Sequence, residues 1–328
     1  MSKILITGGA GFIGYFITKK LSENKNNSIT IIDNLSRCKI DTEFKELLEN
    51  RNIQFIQGDL TDQRSLAQLN KDYEYIYHLA AIVGVKNVAK KPEKTLYINA
   101  ISTLNIFEYI KMLKNVKKVF LSSTSEVYAG TLKHFSIKIP TSENVPLTID
   151  DISSERTTYA LSKIYTESSA FVYSKKYHIP VIIGRFHNVY GPRMGFAHVI
   201  PEMFIKIKKS REIDVPSANH TRAFCYIDDA VEFTIRACEN NKAINEIFNI
   251  GNSREEIQIR ELVLLIADIM GKNITIHELP MTQGSPPRRC PDTSKIEKLT
   301  NYIPVVSLKT GILKTYEWYK DKLDNPFE

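Results

Sequence analysis

Cysteine is scarce in this chain, four residues in 328, and Cys38, Cys225, Cys238 and Cys290 form no CxxC pair and have no histidine at metal-ligand spacing. That argues against a zinc site and a disulfide framework; no metal is expected, and a reducing cytoplasm is the expected setting. Long apolar runs are missing too. None approaches the roughly 18 residues that a bilayer span requires, and the first apolar segment runs into glycines that belong to a motif, not to a signal cleavage site. A soluble protein with no membrane partner is expected. Nor does any internal repeat or low-complexity tract appear. The formal net charge of +7 comes from lysines spread along the chain, with short clusters only at 111–118 and 206–211. Such a pattern reads as solvated surface without a nucleic-acid partner, and its modest positive balance suits an anionic small substrate.

What is present is alternation. Short β-branched runs, KILIT 3–7, SITIID 28–33, IQFIQG 53–58, YIYHLA 75–80, KKVFLSS 117–123 and PVIIGR 180–185, are separated by longer helical stretches. This predicts βαβ units and an α/β fold whose parallel sheet is covered on both faces. After Arg185 the pattern loosens into segments rich in Pro and Gly, with helices expected near 197–210, 228–239 and 258–270, so a second, smaller lobe begins there. A chain of about twice the usual domain length has room for both.

ITGGAGFIG follows the first strand and opens a helix, with Gly8, Gly11 and Gly14 spaced three apart. Glycine lets the backbone turn tightly and approach a pyrophosphate, whose charge rests on the helix N-terminus. The second strand ends in Asp33, nineteen residues past Gly14, where a carboxylate can accept both ribose hydroxyls. An anion there repels a 2′-phosphate, which favours NAD over NADP; nearby Arg37 and Lys39 act in the opposite sense. Asp59, closing the third strand, has two readings, a contact to adenine or the N-cap of the helix TDQRSLAQL.

The stretch LSSTSEVYAG, 121–130, places Ser122, Ser123, Thr124, Ser125 and Glu126 at the end of a buried strand, where ligands of doubly wound sheets bind. TTYALSK then sets Tyr159 and Lys163 four residues apart on an expected helix, with Ser153 or Ser154 as its cap. That spacing puts both side chains on one face. An ammonium beside a phenol favours the phenolate, so Tyr159 can serve as a general base near neutral pH. Thr124 is placed to hydrogen-bond the hydroxyl that Tyr159 deprotonates.

These residues, with YHLAA 77–81, INAISTLNIFEY 98–109, RFHNVYGPR 185–193, TRAFCYIDDA 221–230, NIGN 249–252 and PPRRCPD 286–292, resemble the extended short-chain dehydrogenase/reductase family, within it the nucleotide-sugar epimerases, dehydratases and decarboxylases. The resemblance implies a Rossmann-type doubly wound parallel sheet in 1–184 and a smaller C-terminal α/β substrate lobe in 185–328, part of 224–253 returning to the first domain. It implies Thr124, Tyr159 and Lys163 as the catalytic triad, joined by Ser125 and Glu126. NAD would be held by Gly8, Gly11, Phe12, Ile13, Gly14, Asp33, Asn34, Arg37, Asp59, Leu60, Leu79, Ala80, Ala81, Asn99 and Ser122 together with Tyr159 and Lys163. A nucleotide sugar would meet Val83, Asn188, Arg193, Val199, Arg222 and Arg289, and for the arginines the planar guanidinium fork suits phosphate oxygens.

In such enzymes Tyr159 would take the sugar C4 hydroxyl proton while a hydride moves from C4 to the nicotinamide, leaving a 4-keto sugar with several fates. The dehydratases follow the catalytic Thr with Asp and Glu; here Ser125 replaces the Asp, and a hydroxyl is a poor proton donor to departing hydroxide. Thr-Ser-Glu and YGPRM 190–194 are similar to the UDP-glucuronate decarboxylases, whereas Ile164 and GFAHVIPEM 195–203 depart from them. Glu126 is either a base or an acceptor for backbone donors. The expectation is a 4-epimerase or 4-dehydrogenase of surface-polysaccharide sugar biosynthesis, with UDP-glucuronate decarboxylase as alternative. A catalytically silent NAD-binding regulator or scaffold is the alternative of another class. The helices near 92–112 and 157–176 carry Ile101, Leu104, Ile106, Phe107, Ile164, Phe171 and Val172, more apolar residues than one core-facing stripe needs. The resemblance implies that they pair across a dimer axis, in a homodimer or homotetramer.

Overall fold

The computed structural model describes residues 2–36, 40–84, 88, 90–281 and 284–324. Two compact units form, one from residues 1–127, 151–185 and 231–248, the other from 128–150, 186–230 and 249–328. Residues 128–150, which the sequence places inside 1–184, pack with the second unit.

The first unit is built on a seven-stranded sheet of β1 (Lys3–Thr7), β2 (Ser28–Asp33), β3 (Ile53–Gln57), β4 (Tyr75–His78), β5 (Lys118–Thr124), β6 (Val181–Phe186) and β7 (Glu246–Ile250). Their order is β7-β6-β5-β4-β1-β2-β3, and β1 pairs in parallel with both β2 and β4. The sheet is the doubly wound Rossmann type, and the order reverses between β1 and β4, which puts a ligand crevice outside their carboxyl ends. Most strand residues are apolar and buried, and on one face of the sheet Leu5, Ile32, Ile76, Val119, Leu121, Val181 and Ile183 pack with Ile106, Phe107, Ile110 and Ala170. The last four come from two long helices, Pro92–Ile110 and Thr157–Tyr177.

In the second unit the short strand Thr221–Ala223 lies between Glu256–Gln258 and Arg288–Arg289. Glu212–Pro216 pairs in parallel with Thr275–Leu279. Amphipathic helices Val199–Lys209, Ile259–Ile269 and Leu308–Tyr319 supply its core with Ile200, Phe204, Leu262, Ile266, Ile312 and Tyr319. Among the described residues no helix is long and apolar enough to cross a membrane.

Candidate active site

β1 hands the chain to the helix Phe12–Ser22 through the glycine-rich turn. Gly8 sits at φ +72°, and a Cβ there would lie 2.7 Å from the Ala80 nitrogen; one on Gly14 would lie 2.3 Å from the Gly8 carbonyl oxygen. Only glycine lets the helix start this close to the turn. Gly11 is the N-cap and provides no side-chain cap, so the first-turn amides of Phe12 and Ile13 are oriented for an anion.

Asp33, ending β2, accepts hydrogen bonds from the amides of Ala10 at 3.1 Å and Leu35 at 2.8 Å, which ties the strand end to the glycine turn. Asn34 donates to Asp59 at 3.0 Å. Asp59 is not the helix cap: Asp62 accepts from the Arg64 amide and takes that place. The Asp59 carboxylate instead closes a turn on Thr61, accepting from its amide at 2.8 Å and its hydroxyl at 2.7 Å. Burial pushes this carboxyl up, but the bonds from Thr61 and Asn34 outweigh it and hold Asp59 below the usual range. Leu60 is buried, its carbonyl accepting from Asn105. Arg37 lies outside the described residues.

Thr7 accepts from the amides of Leu79 and Ala80, setting that segment beside Gly8. Asn99 brackets Ile82, accepting from its amide at 2.7 Å and donating to its carbonyl at 3.2 Å, and also donates to Ser162. It thereby fastens the segment carrying Ala80, Ala81 and Val83 to the helix of Tyr159. His78, buried between the hydroxyls of Thr7 and Thr103, is pushed down to about 3 by burial and by the Lys163 charge, and is neutral.

β5 ends in Ser122, Ser123 and Thr124, and a single 3-10 turn, Ser125–Tyr128, follows. Thr124 and Glu126 are half-buried, with the Glu126 amide donating to the Thr124 hydroxyl at 3.3 Å, and Ser125 is buried. Lys163, 4% exposed, donates from Nζ to the Ser122 carbonyl at 2.8 Å. Burial drives its ammonium down to about 8, against the opposing pull of Glu167. Tyr159, half-buried, stands one turn before it. The expected serine cap is absent: Arg156 is the N-cap and no side chain caps the helix, while Ser153 donates to Asp151 within the preceding turn.

Sequence reasoning missed three residues here: His78, Glu167 and Arg185. Glu167 is buried one turn beyond Lys163, accepts from the Ser123 hydroxyl, and forms a two-pronged pair with Arg185 at 2.9 and 2.7 Å. Its spacing of four from Lys163 is the signal that could have found it.

In the second unit Arg222 and Arg289 face each other in register on adjacent parallel strands. Arg222 donates to the carbonyls of Thr221 and Pro286 and to the Ser285 hydroxyl, stapling the segment that leads to Arg289. Asn188, at φ +39°, donates to the Ala223 carbonyl at 2.9 Å. Arg193, at φ +62°, is half-buried, and Val199 opens the helix Val199–Lys209.

The chain is 33% identical over 329 residues to a UDP-N-acetyl-alpha-D-glucosaminuronate decarboxylase of Bacillus cytotoxicus, covering 97% of this chain and 98% of the relative. It is 30% identical over 327 residues to UDP-glucuronic acid decarboxylase 3 of Arabidopsis thaliana, covering 99% and 91%. The crystal structure of a UDP-glucuronic acid 4-epimerase from Bacillus cereus, in complex with UDP-glucuronic acid and NAD, superposes with TM-score 0.87 at 30% identity, covering 98% of this chain and 99% of that one. The model of the NAD dependent epimerase/dehydratase family matches residues 4–251, and the chain belongs to that family of NAD-dependent enzymes.

Proposed function

We propose that this enzyme oxidises the C4 hydroxyl of a UDP-activated sugar to the 4-keto level, with 4-epimerisation as its net reaction. The observation that carries the reading is the buried Lys163 ammonium, fixed on the Ser122 carbonyl, one helical turn from Tyr159 and next to the strand end that bears Thr124. The glycine turn, the uncapped helix start and Asp33 fit NAD, with Gly8, Gly11, Phe12, Ile13 and Gly14 at the pyrophosphate and Asp33 at the ribose. When bound, NAD supplies the acceptor and donor of hydride. Tyr159 takes the hydroxyl proton; Lys163 favours its phenolate; Thr124 hydrogen-bonds the same oxygen and orients it. Arg222 and Arg289 are assigned to the diphosphate, for which a pair of guanidinium forks on adjacent strands is suited.

Decarboxylation of a UDP-uronate is a second reading. It is favoured by Thr124-Ser125-Glu126 and by the two decarboxylase relatives, since a 4-keto uronate is a β-keto acid that loses carbon dioxide without a strong acid. A cytoplasmic homodimer belongs to the same proposal: Tyr97, Tyr165 and Val172 stand exposed on the two long helices, whereas Ile106 and Phe107 are spent on the core. Incubation with a panel of UDP-hexoses and UDP-uronates, read by mass spectrometry and proton NMR, tests the proposal. An unchanged mass with inverted C4 is expected; release of carbon dioxide selects decarboxylation, and inertness toward every sugar refutes both.

A further inference from the structure

The buried pair of Glu167 and Arg185 takes no part in the proton transfer described above, yet it is aligned with it. Tyr159, Lys163 and Glu167 follow at four-residue intervals along one helix face. The side chains of Arg185 and Glu167 are 3% and 5% exposed, and Arg185 reaches the carboxylate from β6. On β5 the Ser123 hydroxyl donates to the same carboxylate. Ser123 lies between Ser122, whose carbonyl receives Lys163, and Thr124. A buried ion pair is weak evidence of stability, because desolvation offsets its attraction and an apolar pair often replaces it without loss; what it can supply is a fixed geometry.

We propose, resting on the C4-oxidation reading, that Glu167 is a positioning residue: locked by Arg185, its carboxylate clamps the β5 end through Ser123. The Ser122 carbonyl and the Thr124 hydroxyl then keep their places beside Lys163 and Tyr159. Glu167 also serves as the counter-charge of Lys163. Around that ammonium stand Glu167 from its own helix, neutral His78 from β4, the Ser122 carbonyl from β5 and, across the carboxylate, Arg185 from β6.

Three variants of the full chain separate clamp from charge. Ser123→Ala leaves the ion pair intact; NADH formation should slow on the order of tenfold or more, since small misplacements near reacting groups are costly, while the NMR titration of Lys163 stays put. Glu167→Gln should slow the same step and move the Lys163 titration, with the alkaline limb of kcat/KM, to lower pH. If Glu167→Gln does not fold, the double variant Glu167→Met/Arg185→Met takes its place. It should shift both in the same direction by less, because the opposing Arg185 charge leaves too. Wild-type rates in Ser123→Ala together with an unmoved Lys163 titration in a folded Glu167 variant would overturn the proposal. Failure of the wild-type enzyme to reduce NAD with any sugar would sink the functional reading instead, and the titration, which needs no sugar, still decides the role of Glu167.

Discussion

Replacing Lys163 by methionine should abolish catalysis and yet stabilise the apoenzyme at neutral pH. Burial brings this lysine from an ordinary 10.5 to about 8. At about 1.4 kcal/mol per pH unit, holding the ammonium in the folded chain costs about 3 kcal/mol at pH 7. Methionine has similar volume and no charge, but it leaves the Ser122 carbonyl without the 2.8 Å bond, a loss of about 1–2 kcal/mol. The net expectation is a gain of about 1–2 kcal/mol. Its pH dependence has a definite sign. Because the folded pKa lies below the unfolded one, the unfolded chain binds more protons between pH 8 and 10.5, and wild-type stability contributed by this group rises across that window. Below pH 8 the penalty is fully present; above 10.5 it is gone and only the lost hydrogen bond remains, so the variant becomes the less stable of the two. Urea unfolding of both proteins at a series of pH values, compared as differences so that other lysines cancel, measures this. A variant less stable at pH 7, or a difference that does not change sign or shrink by pH 10, would refute the reasoning.

Gly14→Ala should weaken NAD binding, because its Cβ would lie 2.3 Å from the Gly8 carbonyl oxygen; overpacking of about 1–3 kcal/mol corresponds to a roughly 5- to 140-fold rise in Kd by fluorescence titration. Glu126→Gln should still form enzyme-bound NADH and then release product slowly if Glu126 acts after oxidation; turnover at the wild-type rate would leave it the role of a structural acceptor. Val172→Glu, which charges a side chain 60% exposed on the long helix, should convert the proposed homodimer to monomer by light scattering, and a wild-type monomer at micromolar concentration would refute the proposed dimer.

Local features of this enzyme were legible in its sequence. The β-branched runs at 3–7 and 28–33 form strands with those bounds, since a buried parallel strand has little alternative to such residues. The glycine spacing announced the turn because φ, ψ and Cβ clearance are properties of a few neighbouring residues. The four-residue step from Tyr159 to Lys163 lies on one helix, Thr157–Tyr177, for the same reason: helical geometry is local. Contacts between residues distant in sequence were not legible. Asp59 read either as an adenine contact or as a helix cap, and only the fold, in which Asp62 caps the helix while Asp59 accepts from Asn34 and Thr61, removed the cap reading. Ser153 and Ser154 had the right chemistry for a cap, but the turn held by Asp151 starts the helix beyond their reach. Arg222 read from the sequence as a guanidinium fork suited to phosphate oxygens, and only the fold revealed it as a staple for residues 285–287. Most of all, Ser123, Glu167 and Arg185 lie on three elements and meet only when β5, β6 and the Tyr159 helix pack. A carboxylate in a helix and an arginine in a strand each read as ordinary surface charge in one dimension; burial, which tertiary packing alone imposes, is what makes them partners and what lowers the pKa of the Lys163 ammonium to about 8.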